Sequence, residues 1–224
     1  MTTLDKYGLD WEDFSRIQGE YVSLRRLAPE DAATTQRWRT SGRAFLLNRG
    51  AQSVEGQREW IASRPFDPAR EMNFVMVLNP RPSRFATGAI VPEELRRQPS
   101  PVGMISLVDI DLVHRHAEPA HLLIGEEDAV KGIPVAFEAT KLIYQLAFDT
   151  LGLHRVYGPI ASGNKGMLRF HLNLGMTEEG RQRDHYFLNG RWHDAVLVGM
   201  LEDEYRTIAL PKLNRMIEML GDKT

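Results

Sequence analysis

Apolar and polar residues follow two different periods along the chain, and the order of these periods predicts an α/β fold. Residues 102–113 carry apolar side chains at every second position except Ser106, the pattern of a strand with one buried face. Residues 134–151 carry them at spacings of three and four, the pattern of an amphipathic helix, and Gly152 follows as its expected C-cap. A strand is predicted at 155–161, directly after this helix. A strand, a helix and a second strand in this order form a right-handed crossover, so the two strands should be parallel.

Turn and cap residues place the remaining elements. Asn189-Gly190 separates two alternating runs and predicts a β-hairpin, because both residue types tolerate the positive φ angles of a type I′ turn. Asn164 is placed to cap a helix with an inner apolar stripe, and Gly175 is placed to end it. The other predicted elements are strands at 21–27, 73–78 and 119–125, and helices that open at Pro29 and after Ser53.

One domain accounts for the 224 residues, with three additions to its core elements. Residues 1–18 form an N-terminal extension. Residues 79–101 are rich in Pro and Arg and form a long loop, of a length that often serves function. A helix within 206–224 could pack on its own domain or on a second subunit of a homodimer, and packing on its own domain is the simpler arrangement.

Composition narrows the classes of function. The chain has 28 Lys and Arg residues against 30 Asp and Glu, which argues against a nucleic-acid backbone or an anionic membrane as the main partner. It has no cysteine, so disulfides, thiolate metal sites and a thiol acyl-enzyme are excluded. No run approaches the roughly 18 apolar residues of a membrane span, and the first residues lack the pattern of a secretion signal. We therefore expect a cytoplasmic protein with no nucleic-acid or membrane partner.

Common motifs for catalysis and phosphate binding are absent from the sequence. His114 and His116 could share one face of an extended segment and bind a metal, but two surface histidines explain the pair more simply, so no metal is expected. Residues 125–136 follow a predicted strand and open a helix, where free N–H groups and the positive end of the helix dipole can bind a phosphate. An ordinary connection between strand and helix explains the same segment.

Five segments between Gly19 and Tyr205 carry a family resemblance. They are GEYVSLRRLAPEDA, PVGMISLVDID, HAEPAHLLIGEE, FEATKLIYQLAFDTLGLHRVYGPIASGNKGMLRFHLNLGM and EEGRQRDHYFLNGRWHDAVLVGML. In this order they resemble the GNAT superfamily of N-acetyltransferases, especially the branch of the ribosomal-protein alanine and serine N-acetyltransferases. The most specific part of the resemblance runs from Glu138 to Met176.

The resemblance implies an α/β fold of the α+β kind, with a mixed, twisted sheet of about seven strands flanked by helices and an added C-terminal helix. The fourth and fifth strands of this sheet would splay apart to admit acetyl-CoA, or another acyl-CoA, as cosubstrate, without a metal. The pantetheine would bind the backbone of one strand, and the pyrophosphate would bind the loop before the core helix. One further side chain would also contact the cofactor. These implied contacts are Leu122, Leu123 and Ile124 for pantetheine, Lys131, Gly132, Ile133, Pro134, Val135 and Ala136 for pyrophosphate, and Asn164.

Two residues of the implied pyrophosphate loop depart from the family pattern Arg/Gln-x-x-Gly-x-Gly/Ala. Lys131 keeps the positive charge but loses the planar fork of arginine. Pro134 replaces a glycine whose N–H serves the phosphate, and the loss of one hydrogen bond to a charged group costs about 1.5–3 kcal/mol. Pro134 also suits the first turn of a helix. We expect weakened cofactor binding, not its loss.

Glu118 is the first candidate for the general base, because it matches an Ala-Glu pair that starts the family's fourth strand. A solvated carboxylate at a strand start explains it equally well, and the inserted Pro119 leaves the direction of its side chain open. Asp109 and Asp111 are weaker candidates on the neighbouring strand, where alternation makes them surface residues.

His171 stands where many family members carry the tyrosine proposed to protonate the departing thiolate. An imidazolium could supply that proton near neutral pH. A hydrogen-bonded core histidine explains the residue as well, since it lies on the inner stripe of its helix.

The resemblance implies an acyl-CoA-dependent N-acyltransferase that moves acetyl to a primary amine by direct attack. A small-molecule amine and a protein N-terminus are both open as acceptors. The alternative is a GNAT-like domain that has lost catalysis and serves as a binding or scaffolding module. The loop at 79–101 and the segment at 38–50 are expected to shape the acceptor pocket.

Overall fold

A computed structural model describes residues 16–41, 53–64, 66–80 and 100–221, and an eight-stranded sheet lies at its centre. The strands are β1 (Arg16–Gln18), β2 (Val22–Arg26), β3 (Met72–Leu78), β4 (Ser100–Asp111), β5 (His116–Ile124), β6 (Arg155–Ala161), β7 (Thr177–Leu188) and β8 (Arg191–Leu201). Their order across the sheet is β1-β2-β3-β4-β5-β6-β8-β7. All neighbours are antiparallel except β5 and β6, which are parallel.

Helices cover both faces of this sheet. They are α1 (Ala32–Arg39), α2 (Val54–Ala62), α3 (Val135–Tyr144), α4 (Lys165–Leu174) and α5 (Leu210–Gly221). Met104 of β4 packs with Trp38 of α1, whereas its neighbour Ile105 belongs to the large core that contains Ile143 of α3. Because successive side chains of a strand point to opposite faces, α1 and α3 lie on opposite sides of the sheet. Within the part of the chain that the structure describes, no helix is long and apolar enough to cross a membrane.

The central crossover agrees with its sequence pattern. Strand β6 has the predicted bounds, and α3 is followed by a wider helical turn, Gln145–Thr150, which ends before Gly152 at a φ of 63°. The Asn164 side chain caps α4 by accepting a hydrogen bond from the Met167 N–H at 3.2 Å. Asn189 and Gly190, with φ angles of 51° and 76°, form the predicted turn between β7 and β8. Fold class, crossover and hairpin are therefore confirmed.

The main differences from the prediction concern three strands. Strand β5 begins at His116 and not at residue 119, and β4 begins at Ser100 and not at residue 102. Strand β1 lies at the end of the segment predicted to be an extension, so the sheet has eight strands where about seven were expected. Most of the predicted loop at 79–101 lies outside the described residues.

The C-terminal helix α5 packs on its own domain, as the simpler arrangement required. Leu213 is fully buried in the large core, and Ile217 is buried beside it. The helix lies against α3, the helix of the central crossover.

A buried carboxylate fixes α3 to the first hairpin. Glu138 accepts three backbone hydrogen bonds, from the N–H groups of Glu20 at 2.8 Å, Tyr21 at 2.7 Å and Val22 at 2.7 Å. Burial is the largest influence on its pKa and raises it, while the three N–H donors act in the opposite direction. A methyl group on Gly19 would lie 2.9 Å from the carboxyl carbon, so this close approach requires glycine. The start of the sheet and the core helix are therefore held together by a carboxylate and backbone amides.

Candidate active site

A gap opens between the two parallel strands β5 and β6. The strands pair at His116 with Arg155 and at Ala117 with Val156, and at no later position. Both strands nevertheless continue, to Ile124 and to Ala161. Beyond Ala117, β5 therefore has a ladder partner only on its β4 side. This agrees with the splayed pair of strands that the sequence resemblance implied.

A cavity of about 180 Å³ occupies this gap. Thr140 and Ile143 of α3 line it from one face of the sheet, and Arg39 of α1 lines it from the other. Because helices on opposite faces contribute to one cavity, the cavity passes through the sheet. Two reactants can therefore approach from opposite faces and meet in the gap. The side chains with chemistry along its wall are Arg39, Glu118, His121, Tyr157, Asn164, His171 and Tyr186.

Glu118 reaches across the gap from β5 to β6. A methyl group placed on Gly158 would lie 3.5 Å from the Glu118 Cγ and 3.7 Å from its Oε1. Burial, and to a smaller extent the charge of Asp109, together raise the pKa of Glu118 to about 7. Its carboxyl is thus placed in the cavity and can exchange a proton near neutral pH, which is what a general base requires.

The weaker carboxylate candidates lie outside the cavity wall. Asp109 is exposed, and it acts on the site through its charge. Asp111 is occupied in the turn after β4, where its Oδ1 accepts hydrogen bonds from the N–H groups of Val113 at 2.8 Å and His114 at 2.7 Å. The ring centroids of His114 and His116 are 6.3 Å apart. Among the described residues, no group of three His, Cys, Asp or Glu side chains could hold a metal ion.

His171 faces the same cavity from α4, and it is only 8% exposed. Burial lowers its pKa to about 4, so the ring is neutral near pH 7 and the imidazolium considered from the sequence is not the form present. Its buried Nδ1 has no hydrogen-bond partner in the described part of the chain. A core histidine would normally satisfy both nitrogens, so the unpaired atom favours a role toward a ligand.

The residues expected to bind pantetheine lie on the open side of β5. Leu122 lines the cavity, Leu123 is buried against Trp38, and Ile124 ends the strand opposite Gly103. Asn164 both caps α4 and lines the cavity, so its two predicted roles are compatible.

The predicted pyrophosphate loop stands past the end of β5, at the start of α3. Lys131 and Gly132 are exposed, and the φ of 79° at Gly132 is one that glycine adopts without strain. Pro134 is buried and immediately precedes the first helical residue, Val135, whose N–H donates to the Ile133 oxygen at 2.8 Å. The N–H groups of the first turn, including that of Ala136, have no acceptor within the helix. The loop therefore has the backbone of an anion site, with Pro134 supplying one donor fewer.

Four polar residues of the cavity wall, Arg39, His121, Tyr157 and Tyr186, were not among the residues expected from the sequence. Tyr186 donates a hydrogen bond from its Oη to the Pro159 oxygen at 3.2 Å, and burial raises its pKa. Tyr157 has its pKa raised by burial and by nearby carboxylates. Arg39 lies at the end of α1. His121 lies within β5, where strand alternation gave no reason to select it; its contacts are described below.

Comparison with known proteins places the chain in a family. The family model of the acetyltransferase (GNAT) domain matches residues 22–177. The spermidine N(1)-acetyltransferase of Vibrio cholerae is 30% identical over 104 residues, which are 46% of this chain and 58% of that protein. A Bacillus subtilis protein, YdaF, named provisionally as a ribosomal N-acetyltransferase, is 37% identical over 103 residues, 46% of this chain and 55% of its own. The chain thus spans little more than half the length of these relatives.

A solved structure supports the same fold. The crystal structure of spermidine N-acetyltransferase from Vibrio cholerae, in complex with CoA and spermine, superposes with a TM-score of 0.66 at 22% identity. The superposition covers 84% of this chain and all of that one. With the family model matching more than half of the chain, the splayed strands and the cavity between them have a common explanation: the chain belongs to the GNAT acetyltransferase family.

Proposed function

We propose that the protein is an acyl-CoA-dependent N-acetyltransferase that transfers acetyl from acetyl-CoA to a primary amine. The observation that carries the proposal is the cavity in the gap of the sheet, because Glu118 and His171 face one space that is lined from both faces of the sheet. The family membership and the two relatives named for N-acetylation support it.

The residues on the α3 side fit acetyl-CoA. Beyond Ala117, β5 offers backbone groups that β6 does not pair, and an extended pantetheine can bind them as an added strand would. The exposed Lys131 and the first N–H groups of α3 suit a pyrophosphate. Asn164 lines the same cavity. The cosubstrate would thus lie along β5, with its thioester in the gap.

Glu118 would remove the proton of the attacking amine. The amine nitrogen forms a bond to the thioester carbonyl carbon, the carbon–sulfur bond breaks, and the products are an amide and the thiol of CoA. The proton that the nitrogen loses passes to the Glu118 carboxylate, the departing thiolate takes up one proton from solvent, and Glu118 then returns its proton to solvent. A carboxyl with a pKa of about 7 is half ionised at neutral pH, which suits both receiving and releasing a proton. A backbone N–H of β5 near Leu123 is the proposed donor to the oxyanion.

His171 would act on the leaving sulfur as a neutral hydrogen-bond donor. Its ring lies on the α3 and α4 side of the cavity, the side proposed for acetyl-CoA. A neutral imidazole carries one N–H, so it can stabilise the thiolate by a hydrogen bond without being an imidazolium. This replaces the charged form considered from the sequence.

The acceptor is proposed to be a primary amine of a polyamine or of a protein N-terminus. These are the two classes suggested by the relatives' names, spermidine and ribosomal N-acetyltransferases. The side of the cavity that includes Arg39 is the proposed entry of the amine.

Calorimetry with acetyl-CoA, desulfo-CoA and ATP tests the cosubstrate first. Binding of the two CoA ligands and not of ATP is the expected result. Thiol release is then measured with spermidine, spermine and peptides that begin with alanine or serine. Binding without thiol release from any amine would favour the binding or scaffolding module, and no binding at millimolar concentration would overturn the proposal.

A further inference from the structure

His121 stands at an irregular point of β5 inside the cavity. Ser106 of β4 pairs with Ala120, but Met104 pairs with Leu123, so two residues of β5 oppose Ile105. This is a β-bulge, and the φ of 57° at His121 marks the bulged residue. Bulges often lie beside active sites because they redirect a side chain. Here the redirected side chain is an imidazole on the cavity wall.

A chain of hydrogen bonds fixes which ring nitrogen carries the proton. The Asn73 Nδ2 donates to the Glu71 Oε1 at 2.8 Å, which leaves the Asn73 Oδ1 as an acceptor. The Ser106 hydroxyl donates its only hydrogen to that oxygen at 2.6 Å. The His121 Nδ1 lies 3.1 Å from the Ser106 Oγ and must therefore be the donor of that contact. In the neutral ring, Nε2 is consequently the atom with the free lone pair.

The free lone pair is available to a ligand in the cavity. His121 Nε2 has no hydrogen-bond partner in the described part of the chain, and it is not among the buried polar atoms closed off from solvent. The charged groups around the ring are Arg39, Arg64, Glu71 and, on the same strand, Glu118. Burial and the two arginines lower the pKa of His121 to about 4, so the ring remains a neutral acceptor through the physiological range.

A primary amine that attacks a carbonyl needs two acceptors. Its lone pair points at the carbonyl carbon, and its two N–H groups remain to be bonded. Within the cavity, Glu118 supplies one acceptor and His121 Nε2 supplies another. A secondary amine has only one N–H and would leave one of these acceptors unpaired.

We propose that His121 binds the acceptor amine by accepting a hydrogen bond from its N–H at Nε2, and that Ser106 and Asn73 hold the ring in the tautomer that permits this. The proposal rests on the proposed acetyltransferase function for the identity of the ligand. It assigns His121 to amine binding and to the preference for primary amines, while Glu118 remains the base.

Nitrogen-15 NMR of the histidine rings tests the tautomer without reference to activity. The His121→Asn variant identifies the signal, and asparagine is chosen because it tolerates a positive φ. The Nδ1–H tautomer is expected in the wild-type protein and is expected to be lost or mixed in Ser106→Ala. Ser23→Ala is the matched control, since the Ser23 hydroxyl also donates to an asparagine oxygen, Asn79 Oδ1, at 2.6 Å and is equally buried. An Nε2–H tautomer in the wild-type protein would overturn the proposal.

Amine binding is tested with the same variants. With desulfo-CoA present, spermidine is expected to shift the His121 Nε2 signal, and the absence of any shift with spermidine, spermine or propylamine contradicts amine binding at His121. For an amine that is turned over, His121→Asn is expected to raise the KM for the amine at least tenfold and to reduce the preference for a primary amine over its N-methyl derivative. The KM for acetyl-CoA and the pH profile should not change, and Ser23→Ala should behave as wild type.

The two proposals fail in different ways. A fixed Nδ1–H tautomer and an amine-induced shift without thiol release would uphold the role of His121 and overturn the acetyltransferase. Thiol release with an unchanged amine KM and an unchanged primary preference in His121→Asn would uphold the enzyme and overturn the role of His121.

Discussion

The Glu118→Gln substitution tests both the contribution of the cavity carboxylate to catalysis and its effect on the stability of the fold. Glutamine keeps the size of the side chain but cannot take a proton from the amine. General-base catalysis by a positioned side chain contributes about 10²–10⁴-fold, so we expect kcat/KM for the amine to fall by a factor of that order. The dissociation constant of acetyl-CoA should be unchanged, because Glu118 is not among the residues proposed to bind it.

The same substitution should stabilise the protein above neutral pH. The rise of the Glu118 pKa from 4.5 to about 7 costs the ionised carboxylate about 3 kcal/mol in the folded state, since one pKa unit is worth about 1.4 kcal/mol. Between pH 4.5 and about 7, the folded protein holds a proton that the unfolded chain has released. The free energy of unfolding therefore falls as pH rises through this window. Because glutamine does not titrate, the Glu118→Gln variant should not show this decrease in the free energy of unfolding.

Two measurements check these expectations. Thiol release is measured between pH 5.5 and about 9. The wild-type kcat/KM should rise with pH and be half-maximal near the Glu118 pKa of about 7, whereas the kcat/KM of Glu118→Gln should not show this rise. Urea unfolding at pH 5 and about 8 should show a smaller loss of stability with pH in the variant. If Glu118→Gln lowers kcat/KM by less than about threefold, or if its kcat/KM still rises with pH around 7 as in the wild type, the role of Glu118 is refuted.

Asp109→Asn is the companion variant for the pH profile. The Asp109 charge contributes to the raised pKa of Glu118, so its removal should move the midpoint of kcat/KM to lower pH. Asparagine can adopt the φ of 49° found at Asp109, so the irregularity of β4 at this position is preserved. A midpoint that stays in place would mean that burial alone sets this pKa.

Three further variants test the scaffold, the leaving-group side and the phosphate loop. Glu138→Gln should lower the free energy of unfolding in urea by about 1–3 kcal/mol, because the NH2 group of glutamine would face a backbone N–H that donates to the carboxylate in the wild type. An unchanged unfolding midpoint would contradict this. His171→Phe should lower kcat about a hundredfold while leaving the unfolding midpoint nearly unchanged, because its Nδ1 has no partner to lose; an unchanged kcat would make it a core residue. Pro134→Ala adds one N–H and should tighten acetyl-CoA binding up to about tenfold in calorimetry; an equal or weaker affinity would show that this donor is not used.

The crossover could be predicted because its signals are local. The spacing of apolar residues defined α3, and the caps at Asn164 and Gly175 defined both ends of α4. Each of these signals acts within one or two helical turns. The chain order of the elements then determined the parallel pairing of β5 and β6. The family resemblance added the gap and its cosubstrate, and the placement of Glu118 and His171 on one cavity agrees with it.

The features that escaped prediction depend on pairing across the sheet. His121 could be identified as a site residue only from the β-bulge, in which two residues of β5 lie opposite Ile105 of β4. A bulge leaves no signature in the alternation of a single strand. Its tautomer depends on Ser106 and Asn73, which lie on two other strands. Strand β5 was predicted to begin only at Pro119, because proline within a sheet usually marks an edge or an end.

Two prolines lie beside the gap and disfavour its closure. Pro119 of β5 and Pro159 of β6 lie just beyond the last paired positions, Ala117 and Val156. Extension of the parallel ladder would reach both, and a proline has no N–H to contribute. Proline is rare in the middle of a sheet because it leaves a ladder bond unmade. Since one occurs on each side of this gap, closure of the two strands would gain fewer hydrogen bonds than closure of two strands without proline. The sequences of β5 and β6 therefore disfavour closure of this gap.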